Sequence, residues 1–364
     1  MTLLMFISLW LAVAKDLRAA IWLHLAFGVF LLATAVFHID YIYLIPIAVI
    51  FVGFAIYAIF SPWKKYAVER QPRTFQKKWF GHPLEAISYH SFVWIFKMLP
   101  LPVLSWLGGK VLETVGPYTK ANKIAARNLS IIWPEHNNPK FLKKMWNNWG
   151  RVFVEGLKFK TYLRNMDKYI EFQNRELFDK MNREGRPYIV SIPHSGNMGV
   201  TTLSFLEAIW PVGITYKFPS NPLMNDVLLS NYGAGIVKEV EFIPVGNAVS
   251  MLRVLRGDGV LNINSDQRIN GADILKFFGY PARTSTGVAR FALKLNIPVL
   301  ICHMERVRGA KCRICYDEVL HLPKTGDVAA DELVGMQMVN DALERSARHS
   351  PSEYLWMHRR WGHI

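Results

Sequence analysis

Cysteine is scarce in this chain, and its scarcity limits how the protein can be held together. Only three of the 364 residues are cysteine, at positions 302, 312 and 315. A small, odd number of scattered cysteines suggests no disulfide framework and fits a reducing compartment for the main domain. Cys312 and Cys315 have redox or zinc spacing, but they lie in an alternating, strand-like run. Because no second pair completes four zinc ligands, we expect both thiols to be packing residues.

Acidic residues are also few, with 28 Asp and Glu against 43 Lys and Arg, for a net charge of +15. Such a balance suits nucleic acid, an anionic membrane face or an acidic protein partner. Long apolar segments favour the last two, so we expect no nucleic-acid partner. The eleven histidines include no HExxH motif, so neither a metal nor a cofactor is implied. Internal repeats and low-complexity segments are absent as well.

Hydrophobic residues, by contrast, are abundant, at 51% of the chain with a mean hydropathy of +0.13. Two apolar runs, residues 19–37 and 41–60, are each about 20 residues long, enough to span a bilayer as a helix. Only three residues separate them, which predicts a transmembrane hairpin. Many basic residues follow the second run and place both ends of the hairpin in the cytoplasm. Residues 1–14 are apolar but short for a span, and they lack the basic start of a signal peptide.

The chain divides by pattern into three segments. We predict a transmembrane hairpin region at 1–62, basic juxtamembrane and interfacial helices at 63–110, and a cytosolic α/β domain at 111–364. Residues 83–107 are rich in aromatic and aliphatic side chains but are interrupted by prolines. They suit amphipathic helices on the cytoplasmic leaflet or, equally, a buried helical hairpin.

Strand and helix patterns alternate from residue 187 onward. Alternation of this kind predicts an α/β fold with a mostly parallel sheet flanked by helices. The predicted strands are 188–193, 212–216, 240–244, 259–264 and 299–304, with 311–320 as an edge strand. The predicted helices are 197–210, 222–231, 248–255, 286–295 and 329–347, preceded by 120–133 and 138–159 as helices that cover one face of the sheet.

Three polar clusters follow predicted strands, at residues 194–197, 217–221 and 264–268. Because the carboxyl ends of parallel strands meet at one edge of a sheet, these clusters predict a common site. His194 opens the first cluster, and a neutral histidine can take a proton from an attacking hydroxyl. It works best when a carboxylate holds its other ring nitrogen. A histidine at a strand end is also commonly structural, so this spacing alone leaves both interpretations open.

The other residues of the clusters suit binding and charge stabilisation. Backbone N–H groups near Gly196 and at the start of the helix that follows could stabilise a developing oxyanion. Lys217 and Arg268 have the charge to bind phosphates, arginine as a two-pronged donor and lysine as a point charge. Asp266 could orient either His194 or one of the basic residues. It could also form only a local turn with Arg268.

Several segments resemble the late acyltransferases of lipid A biosynthesis, the lauroyl and myristoyl transferases, and their relative, the phosphatidylinositol mannoside acyltransferase. The resemblance covers residues 83–360 and is strongest at the end, because the family commonly closes on a Pro-Glu-x-Tyr-x-Trp-x-His-Arg-Arg run. The segments that carry it are ANKIAARNLSIIWPE (121–135), PYIVSIPHSGN (187–197), YKFPSNP (216–222), NSDQRINGADILKFFGYPARTSTGVARFALKLNIPV (264–299) and PSEYLWMHRRW (351–361).

The resemblance implies an acyltransferase of the bacterial inner membrane whose main domain faces the cytoplasm. It would move a fatty acyl chain from acyl carrier protein, or from acyl-CoA, to a hydroxyl of a lipid A precursor or a related phosphorylated glycolipid. The implied catalytic residues are His194 and Asp266. The implied substrate-binding residues are Asn197, Lys217, Asn221, Gln267 and Arg268.

The chain departs from the family pattern in two motifs. The family's Tyr-Arg-Pro segment is Tyr216-Lys217-Phe218 here, so this basic site keeps its charge but loses the paired donors of arginine. The family motif is His, four residues, then Asp or Glu, but the acidic position here is Gly199. Glu207 is a poor replacement, because eight residues along a helix place it about 12 Å away. Loss of the orienting carboxylate weakens a histidine base by orders of magnitude. Three explanations remain: Asp266 supplies the carboxylate, the chain is a lipid-binding paralogue without catalysis, or this copy carries an accidental or engineered change.

Overall fold

A computed structural model describes residues 98–201, 211–217 and 240–362, with residues 96, 203, 205, 219 and 229 singly. The first 14 residues and both apolar runs lie outside these ranges, so the transmembrane hairpin and the segment boundaries stay predictions. So does nearly all of the helix predicted at 222–231. Within the described ranges, no helix combines the length and hydrophobicity needed to cross a bilayer.

The described residues form ten α-helices and nine strands. The helices are α1 (Leu101–Val115), α2 (Lys120–Ile132), α3 (Pro139–Glu155), α4 (Phe159–Arg164), α5 (Met166–Tyr169), α6 (Arg175–Arg183), α7 (Met198–Thr201), α8 (Ala248–Arg256), α9 (Gly287–Leu295) and α10 (Val328–His349). The strands are β1 (Ile170–Gln173), β2 (Tyr188–Ser191), β3 (Val212–Tyr216), β4 (Val240–Pro244), β5 (Val260–Asn262), β6 (Asp273–Phe277), β7 (Tyr280–Thr284), β8 (Val299–Arg308) and β9 (Lys311–Leu320).

Seven of the strands form one sheet in the order β1-β9-β8-β2-β5-β3-β4. Every neighbouring pair in it is parallel except β8 and β9, which are antiparallel. Side chains of β2 alternate between its two faces: Ile189 packs in one buried cluster, and Tyr188 and Val190 pack in the other. Helices contribute residues to both clusters, which confirms the predicted α/β sheet flanked by helices.

Strand β9 was predicted at an edge of the sheet, and this prediction is wrong. Strand β1 pairs in parallel with its outer side, with Ile170 opposite Cys312. The short sequence of β1, Ile-Glu-Phe-Gln, gives a weak strand signal. Its pairing is supported by Glu171, which binds both Lys311 at 2.7 Å and Arg313 at 2.8 Å. The cysteines of β9 are buried free thiols, as expected for packing residues.

Helix α1 explains why residues 83–107 suited two interpretations. Pro100 is the N-cap of this helix and Pro102 lies in its first turn. Neither position has an intrahelical partner for a backbone N–H, so the missing N–H groups of the prolines cost nothing. One face packs tightly on α3, because a Cβ at Gly150 would lie 2.1 Å from the Gly108 carbonyl oxygen. Several other side chains of the helix are apolar and exposed, with Trp106 at 52% and Val111 at 56% exposure. The helix therefore has both the buried side chains of a packed helix and the exposed apolar side chains of an interfacial helix.

A hairpin of β6 and β7, which the sequence analysis did not predict, forms a separate two-stranded sheet. Phe277 pairs with Tyr280, so the turn consists of Phe278 and Gly279 alone. Both have positive φ, at 53° and 78°, as a type I′ turn requires. Phe278 tolerates this conformation because its ring is buried and its N–H donates to the Glu344 carboxylate.

Candidate active site

His194 and Asp266 meet at the carboxyl edge of the sheet. Strands β2 and β5 are parallel neighbours, so the loops that follow them lie side by side. Nδ1 of His194 lies 2.5 Å from Oδ1 of Asp266, and the backbone N–H of His194 donates to Oδ2 at 2.8 Å. One carboxylate thus holds both the ring and the main chain of His194. The structure brings together the histidine and the acid that the sequence placed 72 residues apart.

Charge at Asp266 decides which nitrogen of His194 carries a proton. Burial alone would raise the pKa of Asp266, but the charge and hydrogen bonds of His194 and the charge of Arg360 bring it below its ordinary value. The carboxylate is therefore ionised and accepts a hydrogen bond from the N–H at Nδ1. In the neutral ring this leaves the lone pair on Nε2. The His194 side chain is 16% exposed while that of Asp266 is 1% exposed, so the base is accessible and its partner is not.

The loop that carries His194 is paired to the C-terminal segment. The backbone N–H of Leu355 donates to the carbonyl of His194 at 2.9 Å, and that of Gly196 donates to the carbonyl of Glu353 at 3.2 Å. Gly196 has φ +61°, and a Cβ there would lie 2.7 Å from the Met304 carbonyl oxygen, so glycine is required for this close approach. The Gly196 N–H is already bound and is not available to an oxyanion, so the oxyanion role stays a prediction for the N–H groups at the start of the helix that follows.

Asn197 lies beneath the loop rather than on its open side. It is 2% exposed, and its amide donates to Oε2 of Glu155 at 3.1 Å. Glu155 is itself fully buried and forms a two-pronged ion pair with Arg306, at 2.6 and 2.9 Å. It also accepts from the Ser105 hydroxyl at 2.6 Å. A buried carboxylate therefore ties α1, α3 and β8 to the loop of His194, and Asn197 positions that loop.

Substitution of Glu155 by Gln should strongly destabilise the protein, because it leaves the buried guanidinium of Arg306 without its counter-charge. We expect a loss of about 3–5 kcal/mol in the free energy of unfolding, measured by chemical denaturation of the detergent-solubilised chain. Glu318→Gln is the matched control, since its pair with Arg345 is exposed at 35% and 57% and should contribute less than about 1 kcal/mol. Equal effects of the two substitutions would contradict the assignment of Glu155.

The remaining predicted residues are placed as follows. Lys217 is exposed at the end of β3, and Gln267 and Arg268 are partly buried next to Asp266. Gly199, the position where the family has an acid, is buried in the short helix α7. Two other positions, Asn221 and Glu207, lie outside the described residues, so any role of theirs stays a prediction.

Two polar residues of the C-terminal segment belong to the site and were not assigned from the sequence. Tyr354 is buried, and burial raises the pKa of its hydroxyl, which the negative charge of Asp266 raises further. Arg360 is 1% exposed, and its charge acts on Asp266. Both residues lie in the run PSEYLWMHRRW, which carried the family resemblance and could have drawn attention to them. The sequence of this run did not indicate, however, that it folds against the loop of His194.

His358 is a third such residue. Burial lowers the pKa of His358 to about 4, against the opposing charge of Asp266. Neighbouring positive charges lower it further, and they come from His194, Arg360 and Lys217. His358 is thus a neutral imidazole near pH 7, within electrostatic range of residues from all three strand ends.

A second histidine–carboxylate pair lies elsewhere and differs in kind. Nδ1 of His303 is 2.8 Å from Asp317, whose other contact is the hydroxyl of Ser346. His303 is 3% exposed. Burial would lower the pKa of His303, but hydrogen bonds and charge from Asp317 and Cys315 raise it to about 10. A buried, protonated ring cannot accept a proton from a substrate, so this pair is structural.

Known proteins with similar sequences identify the family of this chain. A family model described as bacterial lipid A biosynthesis acyltransferase matches residues 74–363. The chain is 22% identical over 293 residues to the lipid A biosynthesis palmitoleoyltransferase of Escherichia coli (strain K12), across 78% of this chain and 93% of that protein. A lipid A biosynthesis acyltransferase of Shigella flexneri matches with the same identity and coverage. The family match spans well over half of the sequence and confirms the resemblance seen in its motifs: the chain belongs to the bacterial lipid A biosynthesis acyltransferase family.

Proposed function

We propose that this protein is an active acyltransferase that moves a fatty acyl chain from a carrier-protein thioester to a hydroxyl of a lipid A precursor. The contact of His194 with Asp266 carries the proposal, because it supplies the orienting carboxylate that position 199 lacks. The basic residues at the strand ends and the family of the chain support the same conclusion.

The reaction follows from the tautomer of His194. Its Nε2 takes the proton of the acceptor hydroxyl as the oxygen attacks the thioester carbonyl. The resulting imidazolium is stabilised by the ionised Asp266. The carbon–sulfur bond of the tetrahedral intermediate then breaks, and the leaving thiolate takes the proton from Nε2. One ester forms, one thioester is lost, and His194 returns to its neutral state.

Substrate charge supports the choice of donor and acceptor. Acyl carrier protein is acidic and a lipid A precursor is phosphorylated, and both suit a chain with a net charge of +15. Lys217 has no ion-pair partner among the described residues and is exposed at the edge that carries His194, where it can meet an anionic substrate. Acyl-CoA is the alternative donor, and transfer assays with the two thioesters separate them.

We also propose that the protein acts at the bacterial inner membrane, with the sheet domain on the cytoplasmic side. The apolar runs at 19–37 and 41–60 and the basic residues that follow them support this placement. So do exposed apolar side chains of α1, since Val103, Trp106 and Val115 are 44–52% exposed. A helix that exposes apolar side chains as well as a lysine suits the headgroup region of a bilayer.

The competing hypothesis is a paralogue without catalysis, and position 199 separates the two. If Asp266 already orients His194, then Gly199→Glu should give no gain in activity and should lower it, because position 199 is buried and burial of a carboxylate is costly. Purified wild type should transfer the acyl chain from carrier-protein thioester to lipid A precursor. Gly257→Glu, at an exposed position with φ −91°, is the matched control and should be neutral.

The opposite pattern would show that Asp266 does not replace the missing acid. In that case wild type is inert, Gly199→Glu acquires activity, and His194→Ala removes it again. A chain in which neither form turns over would instead be a binding protein of the same fold.

A further inference from the structure

A cavity of about 240 Å³ lies next to the candidate active site. Three arginines line it, Arg268, Arg283 and Arg360, together with Trp361 and Gly362. Among the described residues that line the cavity, none is acidic. Arg268 follows Asp266 by two positions, and the charge of Asp266 acts on Arg360. The cavity therefore adjoins the base without including it.

Arg268 has charge and donors that nothing in the described chain uses. Its guanidinium makes no hydrogen bond or ion pair there, and its Nε is buried without an acceptor. Burial of an unpaired polar group is costly. The backbone is shaped to admit the group, since Gly362 has φ +74° and a Cβ at that position would lie 2.8 Å from Nη1 of Arg268. A guanidinium that is partly buried despite this energetic cost, and whose N–H donors have no acceptor in the described chain, indicates a binding site for an anion.

The other two arginines of the cavity are Arg283 and Arg360. Arg360 is 1% exposed, donates to Thr284 Oγ1 at 2.7 Å and to the Arg283 carbonyl, and retains a buried Nε without an acceptor. Arg283 donates one N–H to the Ala272 carbonyl at 3.0 Å, which leaves its other donors available. Arg360 is thus fixed in place, whereas Arg268 and Arg283 have donors free for a ligand.

We propose that this cavity is the phosphate subsite of the enzyme and binds a phosphate ester of one of its two substrates. Guanidinium groups are the preferred partners of phosphate oxygens, which they bind in pairs. The cavity is smaller than the roughly 300–1,000 Å³ of sites for drug-sized ligands, so it suits a phosphate with its nearest carbons rather than a whole glycolipid. The identity of the ligand rests on the proposed function, whereas the anion site rests on the arginines alone.

Two sources supply this chemistry: a phosphate on the sugar of the acceptor, and the phosphodiester of the phosphopantetheine arm of the donor. Binding assays separate them without requiring turnover. Full-length His194→Ala protein in detergent would be titrated with lipid A precursor and with its phosphatase-treated form. It would also be titrated with acyl carrier protein thioester and with an acyl-pantetheine thioester that lacks the phosphate.

Arg268→Gln and Arg283→Gln should each weaken binding of one phosphorylated compound by about 10- to 100-fold. Binding of its phosphate-free counterpart should be unchanged, and the compound affected identifies the source. Arg256→Gln, which removes the same charge from an exposed position at the end of α8, should have no effect. Arg268→Lys should restore part of the affinity, because it keeps the charge but loses the paired donors.

The proposal is overturned if the two variants weaken phosphorylated and phosphate-free compounds alike, or if they weaken neither. Failure of the proposed function gives a different result. In that case phosphate-dependent binding persists in wild type and is lost with the arginines, while no acyl chain is transferred under any condition.

Discussion

Replacement of His194 by Ala is expected to lower kcat for acyl transfer by about 10³- to 10⁴-fold, while KM for both substrates stays near that of wild type. Removal of a general base alone costs up to about this factor, because the acceptor hydroxyl must then lose its proton to water. Substrate binding depends on other groups, so it should persist. Steady-state kinetics with carrier-protein thioester and lipid A precursor measure both quantities.

His321→Ala is the matched control, since His321 is exposed beyond the end of β9 and should have wild-type kinetics. A histidine that only supports the loop would behave differently. Its loss would lower the stability of the protein and raise KM, with kcat per folded molecule retained.

Asp266→Asn should lower kcat by about 10³- to 10⁴-fold as well, although it preserves the shape of the side chain. The Asn oxygen can still accept from the backbone N–H of His194, so the loop should keep its place. The Asn nitrogen, however, is a donor and favours a lone pair on Nδ1. The proton then moves to Nε2, where the base must have none. Kinetics and a denaturation curve of the same preparation measure the two effects separately.

The same substitution should change how stability depends on acid. Because the folded-state pKa of Asp266 lies below its ordinary value, the ionised group stabilises the fold above pH about 4. That contribution is lost as the pH falls through the folded-state pKa. Asp266→Asn should therefore be less sensitive to acid than wild type in denaturation midpoints measured from about pH 5 down to below pH 4. Parallel curves for the two proteins would contradict an ionised, buried Asp266.

The sequence predicted strands well where a short, mostly apolar run lies between turn residues. Residues 212–216 and 240–244 were assigned to strands with the bounds that the structure has, because apolar runs between turn residues leave little choice. The sequence failed to predict strands whose formation depends on the strand they pair with rather than on their own residue preferences. Strand β1 is four residues long with a Glu and a Gln, and its ion pairs with β9 stabilise it from outside its own sequence.

The hairpin of β6 and β7 was missed for a related reason. Its turn requires positive φ at Phe278, a residue that rarely adopts it, and Pro281 argues against a strand. Packing of the Phe278 ring in the core outweighs the local cost. This hairpin also contributes Arg283 to the arginine-lined cavity. The cavity could therefore not be predicted without the hairpin.

The candidate site was predictable in part. Parallel strands bring their carboxyl ends to one edge, which is why His194 and Asp266 could be placed near each other from the sequence. Their contact, and hence the answer to the missing acid at Gly199, needed coordinates. The role of Glu155 could not be predicted from the sequence, since a carboxylate inside a helical run is most often exposed. Only the fold brings Arg306 and Asn197 into contact with it.

The most direct test of the His194–Asp266 pair is a comparison of kcat in the two single variants and in the double variant His194→Ala/Asp266→Asn. If Asp266 acts through His194, the double variant should be no slower than His194→Ala alone, because residues that work as one unit lose their effect together. If the two losses multiply instead, each residue contributes independently, and the carboxylate of Asp266 is not the partner that makes this imidazole a base.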